Sequence, residues 1–488
     1  MANYNYDLII IGAGPGGYVT AERAAKLGLK TAIVERGMWG GVCLNIGCIP
    51  TKTLLKNAKI FHVLKDSNKY GINLNQDAIT IDWSQAQARK EKVVKQLTNG
   101  VQFLMKTNKV DSLIGTASAV DQHTIKVTDN ENHSKIYTTK YLIIATGSEV
   151  KMFNNPKGPK GLSSEDLKTN KALLTSTEIL SLKEIPKSLT IIGGGVIGIE
   201  FACLFSSLGT KVTIIEYLDR ILALLDHDTS TELTKILTNN NVDIITEHSV
   251  TKLEKNTLTY VHANDKEQKN LKTIKSDYFL LSAGRMPITK GFENLGVLIK
   301  PNGAFAVNNK LEALDQNQQV IENIYVIGDA NGEKMLAHVA SSQGLTAINN
   351  IMVKEKPGIY QVKVVDYSRM PSCVYSFPEI ASVGLTETEA KAKYPDCLIK
   401  KIPYNINGKA LADGETNGFV KLIVSKKYGE ILGAHIVSAT ATDMIGGIVD
   451  LMESEATVFE LADACYPHPT FSELIMEAAQ NVALQINR

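Results

Sequence analysis

Apolar positions in this chain gather in short runs that glycine interrupts. Leu8-Ile9-Ile10-Ile11 passes directly into Gly12-Ala13-Gly14-Pro15-Gly16-Gly17. A brief, continuous apolar run bounded by glycine reads as a buried strand of a parallel sheet. Residues 18–27 then carry helix-like spacing, Gly28 interrupts it, and Thr31-Ala32-Ile33-Val34 forms a second apolar run that ends at Glu35. The pattern predicts strand, turn, helix, strand. It returns later in the chain. Thr190-Ile191-Ile192 leads into Gly193-Gly194-Gly195-Val196-Ile197-Gly198, a helix-like stretch runs to Leu208-Gly209, and Val212-Thr213-Ile214-Ile215 ends at Glu216. A single offset of 181 residues superposes Gly12 on Gly193, Gly14 on Gly195, Gly17 on Gly198, Gly28 on Gly209 and Glu35 on Glu216.

The repeat carries specific chemistry. In each copy of GxGxxG the first glycine permits a tight turn, the second lets backbone approach a pyrophosphate, and the third lets helix pack on strand. The pyrophosphate then rests on the open N–H groups of the helix N-terminus. The acid 23 residues after the first glycine accepts from ribose hydroxyls and repels a 2′-phosphate, so Glu216 favours NAD over NADP. One such turn is weak evidence, because glycine-rich turns are common. Two in register, each with strand, helix and acid, predict two bound dinucleotides with the chemistry between them.

The rest of the pattern is softer. Residues 188–208 are long and apolar enough to span a bilayer and contain Gly194-x-x-x-Gly198, a spacing used by membrane helix dimers. Glu200 within the segment, three consecutive glycines and the lack of a second span argue against a membrane. Residues 154–161 (NNPKGPKG) read as a surface loop or linker. Residues 254–276, polar and rich in Lys and Asn, predict an exposed hairpin or insertion. Pro357-Gly358 closes a helix-like stretch and starts a different pattern, which sets a boundary near 355.

Composition narrows the function classes. The 488 residues are 44% hydrophobic and 21% charged, enough for sizeable cores and for about three domains. The net charge of +1 offers no general basis for binding nucleic acid or an anionic membrane. Six cysteines are too few for a disulfide scaffold. The N-terminus, Met1-Ala2-Asn3-Tyr4, has neither a basic region nor an apolar one with a cleavage site, so a cytoplasmic, reducing setting is expected. A disulfide in that setting is expected to be catalytic.

The most informative stretch is Gly40-Gly41-Val42-Cys43-Leu44-Asn45-Ile46-Gly47-Cys48-Ile49-Pro50-Thr51-Lys52. Its CxxxxC spacing has no second pair beside it and does not support a zinc site; no metal is expected. Two buried structural cysteines remain the plain alternative. Against that, the pair lies in a Gly-rich loop next to a cofactor motif. Pro50 reads as the first position of a helix, which sets Cys48 just before a helix N-terminus, where the dipole stabilises a thiolate. Lys52 adds positive charge. The setting predicts a redox disulfide.

With these residues in view, the chain resembles the flavin-dependent pyridine nucleotide–disulfide oxidoreductases over essentially its whole length. The resemblance rests on Gly12 to Gly17, Cys43 to Lys52, Ala145-Thr146-Gly147-Ser148, Gly193 to Glu200, Gly284-Arg285-Met286-Pro287, Gly328-Asp329-Ala330, Met335-Leu336-Ala337-His338, Pro378 to Gly384 and His468-Pro469-Thr470. Within the family it is most similar to the branch that oxidises dihydrolipoyl groups with NAD. The resemblance implies an α/β fold: two Rossmann-like FAD/NAD(P)-binding domains plus a C-terminal α+β dimerisation domain. Residues 1–150 and 281–355 would form the FAD-binding domain, 151–280 the NAD-binding domain and 356–488 the dimerisation domain. FAD would contact Gly12, Gly14, Gly17, Glu35, Gly115, Thr146, Gly147, Ser148, Asp329 (on the ribityl chain) and Ala337. Lys52 would stand near flavin N5, paired with Glu200. NAD would contact Gly193, Gly195, Gly198, Glu200, Glu216, Val250 and Gly284. The implied partners are a second copy of the chain and the lipoyl-bearing dihydrolipoyl acyltransferase of a 2-oxoacid dehydrogenase complex.

His468 lies in the constrained loop Tyr466-Pro467-His468-Pro469-Thr470, before a helix-like stretch over 472–483. Glu473 has two readings. Thr470-x-x-Glu473 fits a capping box; the resemblance instead has Glu473 hold the imidazole of His468, fixing its tautomer for service as a base toward a thiol. The resemblance also implies a cis bond at His468-Pro469 and places the histidine at the partner subunit's site. Three positions depart from the usual pattern of that branch: Tyr466-Pro467 replaces His-Ala, Lys409 replaces Arg, and Asp443 replaces Glu. Other disulfide reductases fit less well. The chain lacks the Ala, Tyr and basic residues of glutathione reductases at Gly198, Val196 and near Glu216, and it ends without the C-terminal redox cysteines of mercuric or high-molecular-weight thioredoxin reductases. A flavoprotein scaffold without turnover is a further alternative, against which the retained Cys43, Cys48, Lys52, His468 and Glu473 argue.

Overall fold

The computed structural model of the chain describes residues 3–152 and 162–486; the loop expected at 154–161 lies outside the described residues. These divide into two compact units. The first comprises Met1–Thr53, Ser84–Lys151 and Gly284–Tyr367; the second comprises Leu54–Trp83, Met152–Ala283 and Ser368–Arg488.

The first unit is built on a sheet whose central strands, in spatial order Val320–Val326, Ser134–Ile144, Tyr6–Ile11, Thr31–Glu35 and Asp111–Ile114, all run parallel. The uninterrupted apolar runs follow from burial on both faces. Leu8 and Ile10 enter one core with Ile33, Tyr141 and Ile143, while Ile9 and Ile11 enter another with Ala32, Val34, Leu142 and Ile144. One face is covered by the helices Pro15–Lys26 and Ala337–Glu355. They cross so closely that a Cβ on Gly344 would lie 1.9 Å from Thr20 Oγ1. Beyond Glu355 the chain stays with this unit as far as Tyr367. Asn350 anchors it, donating to Lys363 O (2.8 Å) and accepting from Lys363 N–H (2.8 Å), and Val365 N–H reaches Asn309 O.

The second unit contains a five-stranded parallel sheet in the order Asp243–Ile245, Lys211–Ile215, Ser188–Ile192, Tyr278–Leu281, Leu173–Leu174. The apolar segment 188–208 is thus one strand, the glycine turn and the helix Val196–Ser207. Among the described residues no helix is long and apolar enough to cross a membrane. The polar stretch after 254 forms the strands Thr257–His262 and Lys272–Lys275, which pair antiparallel beside His248–Glu254. A separate antiparallel sheet runs Ser372–Val374, Glu379–Gly384, Ile431–Ser438, Phe419–Val424, Leu398–Pro403. The helices Ala441–Glu453 and Glu473–Ala483 cover its apolar core.

A buried ion network joins these two sheets. Lys421, central in Phe419–Val424, is 1% exposed. Its Nζ meets Asp226 Oδ1 at 2.8 Å, Asp228 Oδ2 at 3.0 Å and Glu387 Oε2 at 2.6 Å. Asp226 also caps the helix His227–Asn239 and accepts from Glu387 N–H. His435 lies beside it, with Nδ1 against Ser382 Oγ and Nε2 against Leu385 O, each at 3.0 Å. Burial opposes the charge on Lys421, but the three carboxylates outweigh it and hold its pKa above the usual lysine range.

Candidate functional site

The two glycine turns are built alike. The helix after the first is Pro15–Lys26 and after the second Val196–Ser207, twelve residues each, with N-caps Gly14 (φ −70°) and Gly195 (φ −76°). Gly12 and Gly193 take φ +103° and +105°. A Cβ on Gly12 would stand 2.3 Å from Ala145 O, and one on Gly17 1.8 Å from Gly12 O. On Gly198 it would stand 2.1 Å from Gly193 O. No side chain fits these places, which leaves bare backbone facing the open helix N-terminus.

The acids repeat as well. Glu35 accepts from Ala13 N–H at 2.9 Å and from Gly37 and Met38 N–H at 3.0 Å; Glu216 accepts from Gly194 N–H at 2.6 Å and Leu218 N–H at 2.8 Å. A carboxylate accepts about four hydrogen bonds, so each acid keeps capacity for ribose hydroxyls. Bare turn, helix N-terminus and part-occupied acid together fit a dinucleotide in each unit.

The cysteine stretch follows the first acid. Gly40 (φ +86°) and Gly41 (φ +60°) start the short helix Gly41–Ile46, Gly47 ends it, and the helix Cys48–Lys65 begins at once. Cys43 is therefore helical rather than in a loop. Cys48 is itself the first helical residue and Pro50 the third, still within the turn where proline lacks no hydrogen bond. Asn45 Nδ2 braces the bend on Trp39 O and Gly41 O, at 2.9 and 2.8 Å.

Cys43 and Cys48, the pair that the sequence singles out, stand within hydrogen-bond reach of each other. A side-chain hydrogen bond to Cys48, then burial and the charge of Cys48, push the Cys43 thiol well above its usual range, against the opposing charge of Lys52.

The other positions expected to serve FAD all lie in the first unit. Gly115 (φ +149°) follows the strand Asp111–Ile114 and donates to Glu35 O at 2.9 Å; a Cβ there would lie 2.6 Å from Thr128 O. Thr146 Oγ1 donates to Ile288 O at 2.6 Å, and Gly147 takes φ +76°. Ser148 Oγ donates to Asp329 Oδ2 at 2.5 Å. Ala337 is the first residue of the helix Ala337–Glu355. Lys52 lies one turn beyond Cys48, where its charge acts on Cys43.

Sequence reasoning missed Arg285. It donates through Nε to Ser148 Oγ (2.7 Å) and through Nη2 to Ser148 O (2.6 Å). Burial lowers its pKa, while Asp329 and Cys48 act on it in the opposite direction. The signal was an arginine next to Gly284 in a segment otherwise of small and apolar residues.

The NAD-side positions are more scattered. Gly193, Gly195, Gly198 and Glu216 form the second cradle. Glu200 is buried in Val196–Ser207, and its Oε1 accepts from Tyr375 N–H at 3.2 Å. Val250 lies on His248–Glu254, paired with Tyr260. Gly284 (φ +112°) belongs to the first unit, whereas Val250 belongs to the second.

At the C-terminal loop no capping box forms, because the helix Glu473–Ala483 starts after Ser472 and Thr470 Oγ1 donates to Pro467 O at 2.9 Å; Glu473 instead holds the loop and the histidine, one on each oxygen. His468 Nδ1 donates to Oε1 at 2.8 Å and Thr470 N–H donates to Oε2 at 2.7 Å. The peptide His468-Pro469 is cis, as is Phe377-Pro378. The Thr470 N–H and then His468 hold the Glu473 carboxyl below its usual range. With Nδ1 committed, the neutral imidazole offers Nε2 as its free base.

Residues 6–344 match the family described as pyridine nucleotide-disulphide oxidoreductase, and residues 370–479 match its dimerisation domain. Among curated relatives, a dihydrolipoyl dehydrogenase of Mycoplasma pneumoniae is 41% identical over 476 residues, covering 98% of each chain. One from Geobacillus stearothermophilus is 38% identical, covering 97% of this chain and 95% of its own. Among solved structures, the Cu(II) complex of the HOCl-induced flavoprotein disulfide reductase RclA from Escherichia coli has a TM-score of 0.82 at 28% identity, covering 99% of this chain and 100% of that one. The family works with FAD and NAD, and a bare glycine cradle in each unit, the first followed by the thiol pair, matches that chemistry. On this geometry and these likenesses, the chain belongs to the FAD-dependent pyridine nucleotide–disulfide oxidoreductases.

Proposed function

We propose that the protein oxidises a protein-bound dihydrolipoyl group with NAD as the final acceptor, using Cys43 and Cys48 as its redox pair. The observation that carries this reading is the thiol pair itself, hydrogen-bonded at a helix N-terminus directly after a dinucleotide cradle. The relatives named dihydrolipoyl dehydrogenase support the choice of substrate.

In the oxidised enzyme, His468 of the partner subunit takes a proton from one substrate thiol. The resulting thiolate attacks Cys43 Sγ, the Cys43–Cys48 bond breaks, and Cys48 leaves as thiolate. The second substrate thiol, deprotonated in turn, attacks the substrate sulfur of the mixed disulfide. Cys43 departs and the dithiolane closes, so the substrate is oxidised by two electrons and the cysteine pair is reduced by two. Exchange is fastest when the leaving thiol is the more acidic one, which suits Cys48 at the helix start. FAD, when bound, carries the electron pair from the cysteines to NAD. Glu473 orients His468, Lys52 supplies positive charge beside the pair, and Glu216 selects NAD.

In this reading 1–150 and 281–355 serve FAD, 151–280 serve NAD, and 356–488 form a homodimer interface. The electron donor is a lipoyl-bearing acyltransferase of a 2-oxoacid dehydrogenase complex. The test is Cys48→Ser. It should abolish NADH formation from dihydrolipoamide while the purified protein stays yellow with FAD. Undiminished dithiol turnover in that variant would overturn the assignment.

A further inference from the structure

Packing within its own chain does not hold His468 in place. Pro467, His468 and Pro469 are exposed, whereas Phe471 just after them is buried. Hydrogen bonds shape the loop instead. Thr470 Oγ1 donates to Pro467 O at 2.9 Å, and Thr470 N–H donates to the Glu473 oxygen opposite the one that takes the imidazole. A side chain from outside the loop joins them. Asn407, 63 positions earlier and 5% exposed, donates through Nδ2 to Thr470 O at 3.1 Å. Its Oδ1 accepts from Ala410 N–H at 2.9 Å and so caps the helix Gly408–Asp413. Its own N–H reaches Tyr404 O at 3.0 Å. Tyr404 is fully buried, with its N–H on Gly418 O and its hydroxyl on Phe471 O at 3.3 Å. Thr470 is thus held at both backbone groups, the N–H by Glu473 and the carbonyl by Asn407.

We propose that Asn407 is a positioning residue for His468: by fixing Thr470 it fixes Glu473, and through Glu473 the imidazole. The inference rests on the proposed role of His468 as base toward the substrate thiol. A primary amide suits both contacts at once. Ala410 N–H needs an acceptor and Thr470 O needs a donor, and an amide offers one of each. A carboxylate would keep the cap but turn an acceptor against the Thr470 carbonyl. A serine hydroxyl would keep the cap but fall short of Thr470. Lys409, where the usual pattern has Arg, serves a different contact: its Nζ pairs with Asp413 Oδ1 at 2.9 Å in the same helix. A base must lie in line with the proton it takes, and a displacement of about 1 Å is enough to cost rate heavily. An exposed imidazole on a loop held by so few bonds depends on each of them.

The test measures kcat/KM for dihydrolipoamide at saturating NAD in FAD-loaded protein, with His468 intact and with His468→Gln. Asn407→Ser and Asn407→Asp each keep a helix cap and lose the donor to Thr470 O. With His468 intact, each should lower kcat/KM by roughly 10–100-fold, the scale of a misplaced catalytic group. Reduction of ferricyanide by NADH should hold. In the His468→Gln background, assayed at raised enzyme concentration, the same changes should cost nothing further, because the group they position is gone. General structural damage would instead lower both backgrounds by the same factor. An equal loss in both backgrounds would overturn the proposal, and so would wild-type turnover in both single Asn407 variants. Full dithiol turnover in His468→Gln alone would instead overturn the reading of His468 as the base.

Discussion

Glu473 shows how one side chain serves fold and chemistry together: one oxygen closes the turn onto Thr470 N–H and the other takes His468 Nδ1–H. That division yields a kinetic prediction. His468→Gln should lower kcat/KM for dihydrolipoamide by roughly 10²–10⁴-fold, the usual contribution of a general base. Reduction of ferricyanide by NADH, which needs no thiol deprotonation, should be unchanged. Glu473→Ala should lose less, because it disturbs only the orientation of the imidazole. An equal fall in both activities would mean that the loop had collapsed and that no base had been removed. Residues of this kind were legible in sequence where the chemistry is local. His468 and Glu473 are five apart, Cys43 and Cys48 are five apart, and the glycines reveal themselves by the side chain they cannot carry. Arg285 was not legible, because its partner Ser148 lies 137 positions away and only the ribbon brings them together.

Among elements, the repeat survived folding closely. The helices Pro15–Lys26 and Val196–Ser207 are related by the same offset of 181 as the glycines, and Gly28 and Gly209 end them at φ +92° and +90°. Steric rules of the dinucleotide turn act within a few residues, so sequence suffices to read them. The strand Phe419–Val424 shows where it does not. Lys421 is the one charged residue in that apolar strand, and it is buried because Asp226, Asp228 and Glu387 arrive from other elements. Lys421→Met should leave Asp226 buried without its lysine and cost about 3–5 kcal/mol of stability, read by denaturant unfolding of the FAD-loaded protein. A loss below about 1 kcal/mol would show that the network behaves like a surface ion pair. His435 sets a pH dependence. Burial holds its imidazole below the ordinary value of 6.5 despite Asp226. The unfolded chain therefore binds a proton that the folded one refuses, and stability falls as pH drops through 6.5 toward the lower folded value. His435→Gln should flatten the change in melting temperature between roughly pH 7 and pH 5. An identical slope in the variant would assign that acid sensitivity elsewhere.

For the whole molecule, the α/β class and the order of the two cradles followed from the spacing of apolar runs and glycines. Membership of Leu54–Trp83 in the second unit, and of the stretch up to Tyr367 in the first, did not. Those assignments depend on long-range packing that no local pattern encodes. The dimerisation domain over 370–479 predicts that the 53.2 kDa chain sediments as a particle of twice that mass. A monomer with full dithiol activity would contradict the use of His468 in trans. The claim that unites these scales is that a thiol pair, fed by a dithiol, drains into NAD. The most direct test is the initial rate of NADH formation from dihydrolipoamide and NAD, with NADP as the paired control. The account predicts fast turnover with NAD and little with NADP, because Glu216 repels a 2′-phosphate. No turnover from a yellow, FAD-loaded protein would contradict the substrate, and equal turnover with NADP would contradict the role of Glu216.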